Sequence, residues 1–171
     1  IPSLNPEKLE PVKDYMNISE NAGEIIGQIS KGKIKSFEIT AYGELIKLDI
    51  EPLEVAILKG ALSSIFHDVN YVNAPFLAKQ RGIEIKIIKS EAPSSFTSLL
   101  KVKMTTDIET NSVSVSLIAR NIARIVKLND YDVIIKPNEH ILIVPHINQV
   151  AMVAKVANTL CEENINIGSM N

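Results

Sequence analysis

Five short segments of alternating apolar and polar residues follow one another between residues 83 and 135, and this succession limits the possible folds more than any other feature. Alternation with a period of two predicts β-strands that bury one face. The segments are 83–88, 99–104, 112–117, 124–128 and 131–135. Because few helical patterns lie between them, we expect a mostly antiparallel sheet in an α+β fold rather than a doubly wound parallel sheet.

Helical patterns precede these strands and predict helices that flank the sheet. One helix is predicted over residues 19–30, a second from Glu51, whose next residue is a proline in its favoured first-turn position, and a short third over residues 73–82. Residues 36–49 alternate on both sides of Gly43, which predicts a hairpin between the first two helices.

The chain is expected to have three parts. Residues 1–17 contain several prolines and little periodicity, so they are predicted to be a linker from upstream polypeptide. Residues 18–137 contain the helices and strands described above. Residues 138–171 predict an unfinished β-α-β unit, with elements at 140–145, 149–163 and 165–169. The apolar face of its helix needs a cover, so we expect either that this segment comes from a longer chain or that it associates into a homo-oligomer.

The composition argues against nucleic acids and membranes as partners. A formal net charge of -2 gives no general attraction to phosphate backbones, and the absence of Trp removes a stacking platform for bases. No apolar run approaches the roughly 20 residues that span a bilayer. Cys161 has no second cysteine to pair with, which fits a reducing cytoplasm, and its place beside Leu160 predicts a buried thiol.

No arrangement of residues in the sequence is typical of an active site. Neither G-x-G-x-x-G nor G-x-x-x-x-G-K-[ST] occurs, and no H-E-x-x-H motif or cysteine pair offers metal ligands. The serines stand in no nucleophile-elbow sequence. We therefore expect a non-catalytic segment that has no cofactor and no metal of its own.

Two stretches of the chain resemble a known enzyme family. Residues 69–83, V-N-Y-V-N-A-P-F-L-A-K-Q-R-G-I, together with residues 49–53, are similar to the intervening, or allosteric substrate-binding, domain of long-form D-3-phosphoglycerate dehydrogenases. Residues 140–146 and 162–170 resemble the first half of an ACT domain, a ferredoxin-like unit that follows the intervening domain in these enzymes. The resemblance covers nearly the whole chain.

This resemblance implies a regulatory segment of an NAD-dependent enzyme. Family members oxidise D-3-phosphoglycerate in the first committed step of L-serine synthesis, and L-serine often inhibits them through the ACT domains. Their NAD site and catalytic residues lie in domains that precede the intervening domain. Two alternatives remain open, namely the regulatory region of an iron–sulfur L-serine dehydratase and a standalone module that binds an amino acid or an anion.

The resemblance also assigns an amino-acid site. His146, Asn148 and Asn166 fall where family members bind L-serine between paired ACT domains, and an amide side chain suits both the ammonium and the carboxylate of an amino acid. Asn148 equally suits the N-cap of the following helix. Family members usually carry Pro-Gly where this chain has Val150-Ala151. Since a methyl group obstructs the approach of a ligand to the backbone, this departure argues against inhibition by serine.

An anion site is expected in the preceding part of the chain. Arg124 and Lys136 fall where family members hold an anion, and they bracket the turn predicted at residues 129–130. The resemblance implies that their side chains converge on a phosphate-type anion or on the substrate itself. The alternative is that both are solvated cations at strand ends.

Overall fold

The computed structural model describes residues 6–92, 95–119, 122–136, 140–147 and 149–170. The chain divides into two compact units, residues 1–138 and residues 139–171, and each is described by itself. The first unit contains the sheet and the helices that cover one of its faces.

The helices of the first unit surround the first strand in sequence. They are α1 (Pro6–Leu9), α2 (Lys13–Ile29), α3 (Glu51–Ser63) and α4 (Ala74–Gln80), with one-turn 3-10 helices at Glu10–Val12 and Glu44–Lys47. α3 begins at Glu51 as predicted, because the proline after it needs no hydrogen-bond acceptor in the first turn. Gly82 follows α4 with a φ of +67°. None of the described helices is long and apolar enough to cross a membrane.

α2 begins earlier than the sequence predicted. It starts at Lys13 rather than at Ser19, and the described residues before it are also helical, so most of the segment expected to be a linker forms helical turns. Val12 and Tyr15 are buried, and they continue the apolar stripe that includes Ile18. The prolines before Lys13 led to the prediction of a linker here. Pro11 lies in the first turn of a short 3-10 helix, a position that tolerates proline.

The sheet has six strands in the order β2-β1-β3-β4-β5-β6. The strands are β1 (Ile34–Gly43), β2 (Glu84–Ser90), β3 (Ser98–Thr106), β4 (Thr110–Ala119), β5 (Ile122–Leu128) and β6 (Tyr131–Ile135). β1 and β2 are parallel, and the other neighbouring strands are antiparallel. The predicted α+β fold with a mostly antiparallel sheet is confirmed.

One face of the sheet forms the core with α2 and α3. Buried residues of the two helices and of β1, β3, β4 and β5 belong to a single cluster, which includes Ile18, Ile26, Leu53, Ile57, Phe37, Leu100, Val113 and Ile125. Since successive strand residues point to opposite faces, the residues between these positions lie on the other face, here called the outer face.

The hairpin predicted over residues 36–49 is wrong. β1 continues to Gly43, and the next four residues form a 3-10 turn in which Leu45 is fully buried. The Glu44 N–H donates to the Thr97 carbonyl at 3.1 Å, which fixes the end of β1 beside the start of β3. β1 therefore pairs with β2 and β3. The alternation of apolar and polar residues after Gly43 comes from this buried turn, which is too short for its periodicity to distinguish a turn from a strand.

The second unit contains one described helix, α5 (Met152–Glu162), within the predicted range. The strands predicted at 140–145 and 165–169 are not formed, since none of those residues lies in a β-ladder. A strand requires a neighbour to pair its backbone groups, and no strand is described in this unit. The prediction that Cys161 is buried is also wrong, because Cys161 is exposed.

Candidate anion-binding site

The outer face of the sheet carries a row of serines along β4. Ser112, Ser114 and Ser116 occupy this face because they alternate with Val113 and Val115, which are fully buried in the core. These small side chains lie between β3 and β5, which carry long cationic residues on the same face. This strip of the outer face, in which the serines of β4 lie between the cationic residues of β3 and β5, is here called the serine channel.

Arg124 and Lys136 lie at one end of the serine channel. Arg124 of β5 pairs with Ser116 across the ladder. Ile125 pairs with Ile135, the last residue of β6, and Lys136 is the next residue. Extending the antiparallel register by one residue beyond the strand would bring Lys136 opposite Arg124. The Arg124 Nη1 donates to the Ala123 carbonyl at 2.8 Å, and a guanidinium has further N–H donors for an anion. The strand register thus gives the two cations neighbouring positions, while anion binding stays a prediction.

A second cationic row crosses the serine channel next to the first. Lys101 of β3 pairs with Ser114 of β4, and Ser114 pairs with Lys127 of β5. Lys127 Nζ lies 3.6 Å from the carboxylate of Asp132 on β6. Sequence reasoning missed this row, because only the register of three strands brings its members together.

The turn between β5 and β6 is tied to β4 by Asn129. Its φ of 51° lies in the left-handed region, which asparagine tolerates better than most residues. Its side-chain nitrogen donates to Asn111 Oδ1 at 2.9 Å, and its Oδ1 accepts the N–H of Ser112 at 2.7 Å. These bonds hold β5 in register with β4, and they therefore position Arg124.

A cleft of about 510 Å³ lies elsewhere on the first unit, where α2 and α3 end. Its lining includes Gly27, Ser64 and Met104 and none of the predicted site residues. Helix C-termini present carbonyl oxygens and partial negative charge, which disfavour an anion. The cleft is therefore not the predicted anion site.

The residues predicted to bind L-serine belong to the second unit. His146 and Asn166 are both exposed, and no hydrogen bond joins their side chains among the described residues. The Nδ1 atom of His146 lies 3.1 Å from the Ile147 carbonyl. Asn148 lies outside the described residues. α5 begins at Met152, and the residue directly before it is Ala151.

Ala151 has the backbone conformation of a glycine. Its φ is 70° and its ψ is 3°, the left-handed region where a Cβ atom is strained. The resemblance placed a glycine of the family at this position. The backbone at residue 151 thus has a left-handed conformation that glycine adopts freely, whereas the alanine side chain adds a methyl group at this position.

A polar cluster that the sequence did not predict joins α2, α3 and the segment before α4. One carboxylate oxygen of Glu20 accepts a hydrogen bond from Lys59 Nζ, and the other accepts one from the Tyr71 hydroxyl. Lys59 Nζ also lies 4.7 Å from the centroid of the Tyr71 ring. Burial, with the hydrogen bond to Glu20, raises the pKa of Tyr71 to about 12. The cluster anchors the 69–83 segment to the helices.

Comparison with known families assigns the first unit. A profile described as the D-3-phosphoglycerate dehydrogenase intervening domain matches residues 11–129, which run from two residues before α2 to the β5–β6 turn. The chain belongs to this family. The match to the intervening domain includes Arg124 and the row formed by Lys101, Ser114 and Lys127, whereas Lys136 and the second unit lie beyond it.

Whole-chain relatives carry the same enzyme name. D-3-phosphoglycerate dehydrogenases of Synechocystis sp., Methanocaldococcus jannaschii and Bacillus subtilis are 30%, 32% and 28% identical to this chain, each over 99% of it. The chain spans 31%, 32% and 33% of those proteins, about a third of their length. These names agree with the dehydrogenase rather than with a serine dehydratase or an unrelated module.

Proposed function

We propose that this chain is an effector-binding, regulatory part of a D-3-phosphoglycerate dehydrogenase and does not itself oxidise the substrate. The family match and the names of the relatives support the enzyme assignment. What supports the regulatory assignment is that Lys136 directly follows Ile135, the ladder partner of Ile125, so that its position is next to that of Arg124.

Two cations at neighbouring positions suit a phosphate-type anion. Arginine forms paired N–H contacts with phosphate oxygens, and lysine adds a mobile point charge. The Ala123 carbonyl already holds one end of the Arg124 guanidinium, which lowers the entropy that binding would cost. The effector in this proposal is phosphate or the phosphorylated substrate, 3-phosphoglycerate.

The residues of this chain do not fit NAD. A dinucleotide site requires a glycine-rich turn from a strand into the N-terminus of a helix. Gly43 ends β1, but a single 3-10 turn follows it, and the Thr97 carbonyl occupies the space beside its Cα. In our proposal, other parts of the enzyme bind NAD and carry out the oxidation.

The second unit is proposed to act as an ACT-type serine sensor. His146, Asn148 and Asn166 supply the polar groups for L-serine, and pairing of two copies in a homo-oligomer completes the site. The proposed location is the cytoplasm, where serine is synthesised. Ala151 argues against serine binding, since its methyl group occupies a position where glycine would allow a ligand to approach the backbone.

Calorimetric titration of the full chain tests the two sites separately. Inorganic phosphate and 3-phosphoglycerate are expected to bind the native chain and to bind Arg124→Gln about tenfold more weakly, since one charge-assisted contact is lost. L-Serine is expected to lose affinity in Asn166→Ala and to be unaffected by Arg124→Gln. Unchanged affinity for both anions in Arg124→Gln would remove the anion site, and turnover of NAD by this chain alone would remove the non-catalytic assignment.

A further inference from the structure

The cleft where α2 and α3 end, here called the helix-end cleft, presents mainly hydrogen-bond acceptors. Gly27 and Gln28, in the last turn of α2, are part of its lining. Their carbonyl oxygens and that of Ile29 accept no hydrogen bond from the residues that the structure describes, as is usual where a helix ends. On the α3 side, Ser64 donates its hydroxyl to the Ala61 carbonyl at 2.7 Å, so its oxygen is left as an acceptor. A ligand in the cleft must therefore supply hydrogen-bond donors.

Two carboxylates held by backbone amides lie beside the helix-end cleft. Asp107 Oδ1 accepts the N–H of Lys33, and Glu109 Oε1 accepts the N–H of Lys31, both at 2.7 Å. Gly32, between these two lysines, lines the cleft, and a Cβ atom on it would overlap Asp107 Oδ1. Neither carboxylate forms an ion pair within the part of the chain that the structure describes. Their negative charge therefore adds to the partial negative charge of the two helix C-termini.

The deep part of the helix-end cleft is apolar. Ile34 and Met104 line it, and both are buried members of the core cluster. Ile65, which is half exposed, adds an apolar side chain at the α3 side of the opening. The cleft volume of about 510 Å³ lies in the range of small-molecule sites. Acceptors and negative charge beside an apolar surface suit a protonated amine that carries a short alkyl stem.

We propose that the helix-end cleft binds a small alkylammonium ligand. The ammonium group donates to the free carbonyl oxygens at the end of α2 and to Ser64 Oγ, while the alkyl stem contacts Met104 and Ile34. The same charges repel carboxylates and phosphates, so free amino acids and phosphorylated substrates are poor ligands for this site. Neither Arg124 nor Lys136 lines the cleft, and the inference therefore goes beyond the proposed function.

Amide NMR spectra of the full chain test this proposal with three probes of one stem length. Protonated n-butylamine should produce saturable shifts of the Gly27, Gly32 and Ser64 amide signals at fixed pH and ionic strength. 1-Butanol has no charge and butyrate has the opposite charge, so both should bind at least about tenfold more weakly. Equal binding of 1-butanol would show that the acceptors do not select an ammonium group and would overturn the proposal, as would shifts confined to residues outside the cleft.

A matched pair of variants separates a defined site from general attraction to an acidic surface. Glu109→Gln removes a charge but keeps an oxygen that can accept the Lys31 N–H, and it should weaken n-butylamine binding about three- to tenfold. Glu44→Gln removes an equal charge from an exposed position at the opposite end of β1 from Ile34, and it should leave the affinity within about twofold. Equal losses in the two variants, or no loss in Glu109→Gln, would overturn the assignment of the charges that select the ligand.

Discussion

Gly60 of α3 lies directly against the backbone of Glu20 in α2. A Cβ atom on Gly60 would overlap the Glu20 carbonyl oxygen, and one on Gly23 would overlap the carbonyl oxygen of Ile57. The two glycines thus allow the helices to approach until each backbone contacts the other. The same approach brings Lys59 to the carboxylate of Glu20, so the polar cluster with Tyr71 depends on it.

Gly60→Ala is expected to destabilise the first unit by about 3 kcal/mol or more, because backbone atoms in a packed helix pair cannot move aside as a flexible side chain does. Chemical denaturation followed by circular dichroism measures the change. Gly168→Ala is the control, since a Cβ atom there meets nothing within 4 Å and should change stability little. Equal stability of Gly60→Ala and the native chain would show that the helices do not pack this closely.

Much of the fold was predictable because its signals are local. The strand segments after Ile83 alternate cleanly, and the prolines after Glu51 and Ala74 mark the starts of α3 and α4. The failures arose where the outcome depends on distant residues. β1 pairs with β2 after a crossover through two helices, and nothing near Gly43 in the sequence indicates that it turns toward Thr97.

The raised pKa of Tyr71 predicts a loss of stability at high pH. Burial and the hydrogen bond to Glu20 favour the neutral phenol in the folded state, so its pKa is about 12 rather than the 10.0 that is ordinary for tyrosine. The folded state therefore keeps this proton where the unfolded state has lost it, so the stabilisation is complete below pH 10 and disappears as the pH rises from 10 to 12.

Phenolate absorbance and denaturation midpoints across this pH range measure the effect. Tyr71→Phe should lose the absorbance step near pH 12 and weaken the pH dependence of stability. Tyr131→Phe, which removes a tyrosine that is 75% exposed, should retain both. A step that survives in Tyr71→Phe would assign it to another residue.

Ser19→Ala is expected to stabilise the protein by about 1 kcal/mol. Its hydroxyl is fully buried in α2 and has no hydrogen-bond partner among the described residues, so it loses hydration without compensation. Ser116→Ala is the matched comparison, because Ser116 is as deeply buried but donates to Ser98, and its loss should cost about 1 kcal/mol. If both variants are destabilised alike in urea titrations, the Ser19 hydroxyl has a bonding partner after all.

The candidate site was only partly accessible to sequence reasoning. Arg124 and Lys136 were predicted from the resemblance to a family, and the β5–β6 turn between them was predicted from Asn129-Asp130. Nothing in the sequence next to Lys101 or Ser114 identifies either as a site residue, since lysine and serine are ordinary residues on the outward face of a strand. Their significance depends on the register of β3, β4 and β5, which a single sequence does not specify.

Ala151→Gly is expected to strengthen the start of α5. The left-handed conformation of Ala151 costs an alanine about 1 kcal/mol, and glycine adopts it freely, although part of that gain is lost to the greater freedom of glycine in the unfolded chain. Amide hydrogen exchange over residues 152–162 should therefore slow about two- to fivefold.

Ala154→Gly, at an exposed position inside the same helix, should instead speed exchange, because glycine costs about 1 kcal/mol in a helix interior. Opposite responses to the same chemical change, three residues apart, would follow only if Ala151 has the positive φ. Faster exchange in both variants would mean that it does not, and the argument that its methyl group stands where glycine would admit a ligand would then fail as well.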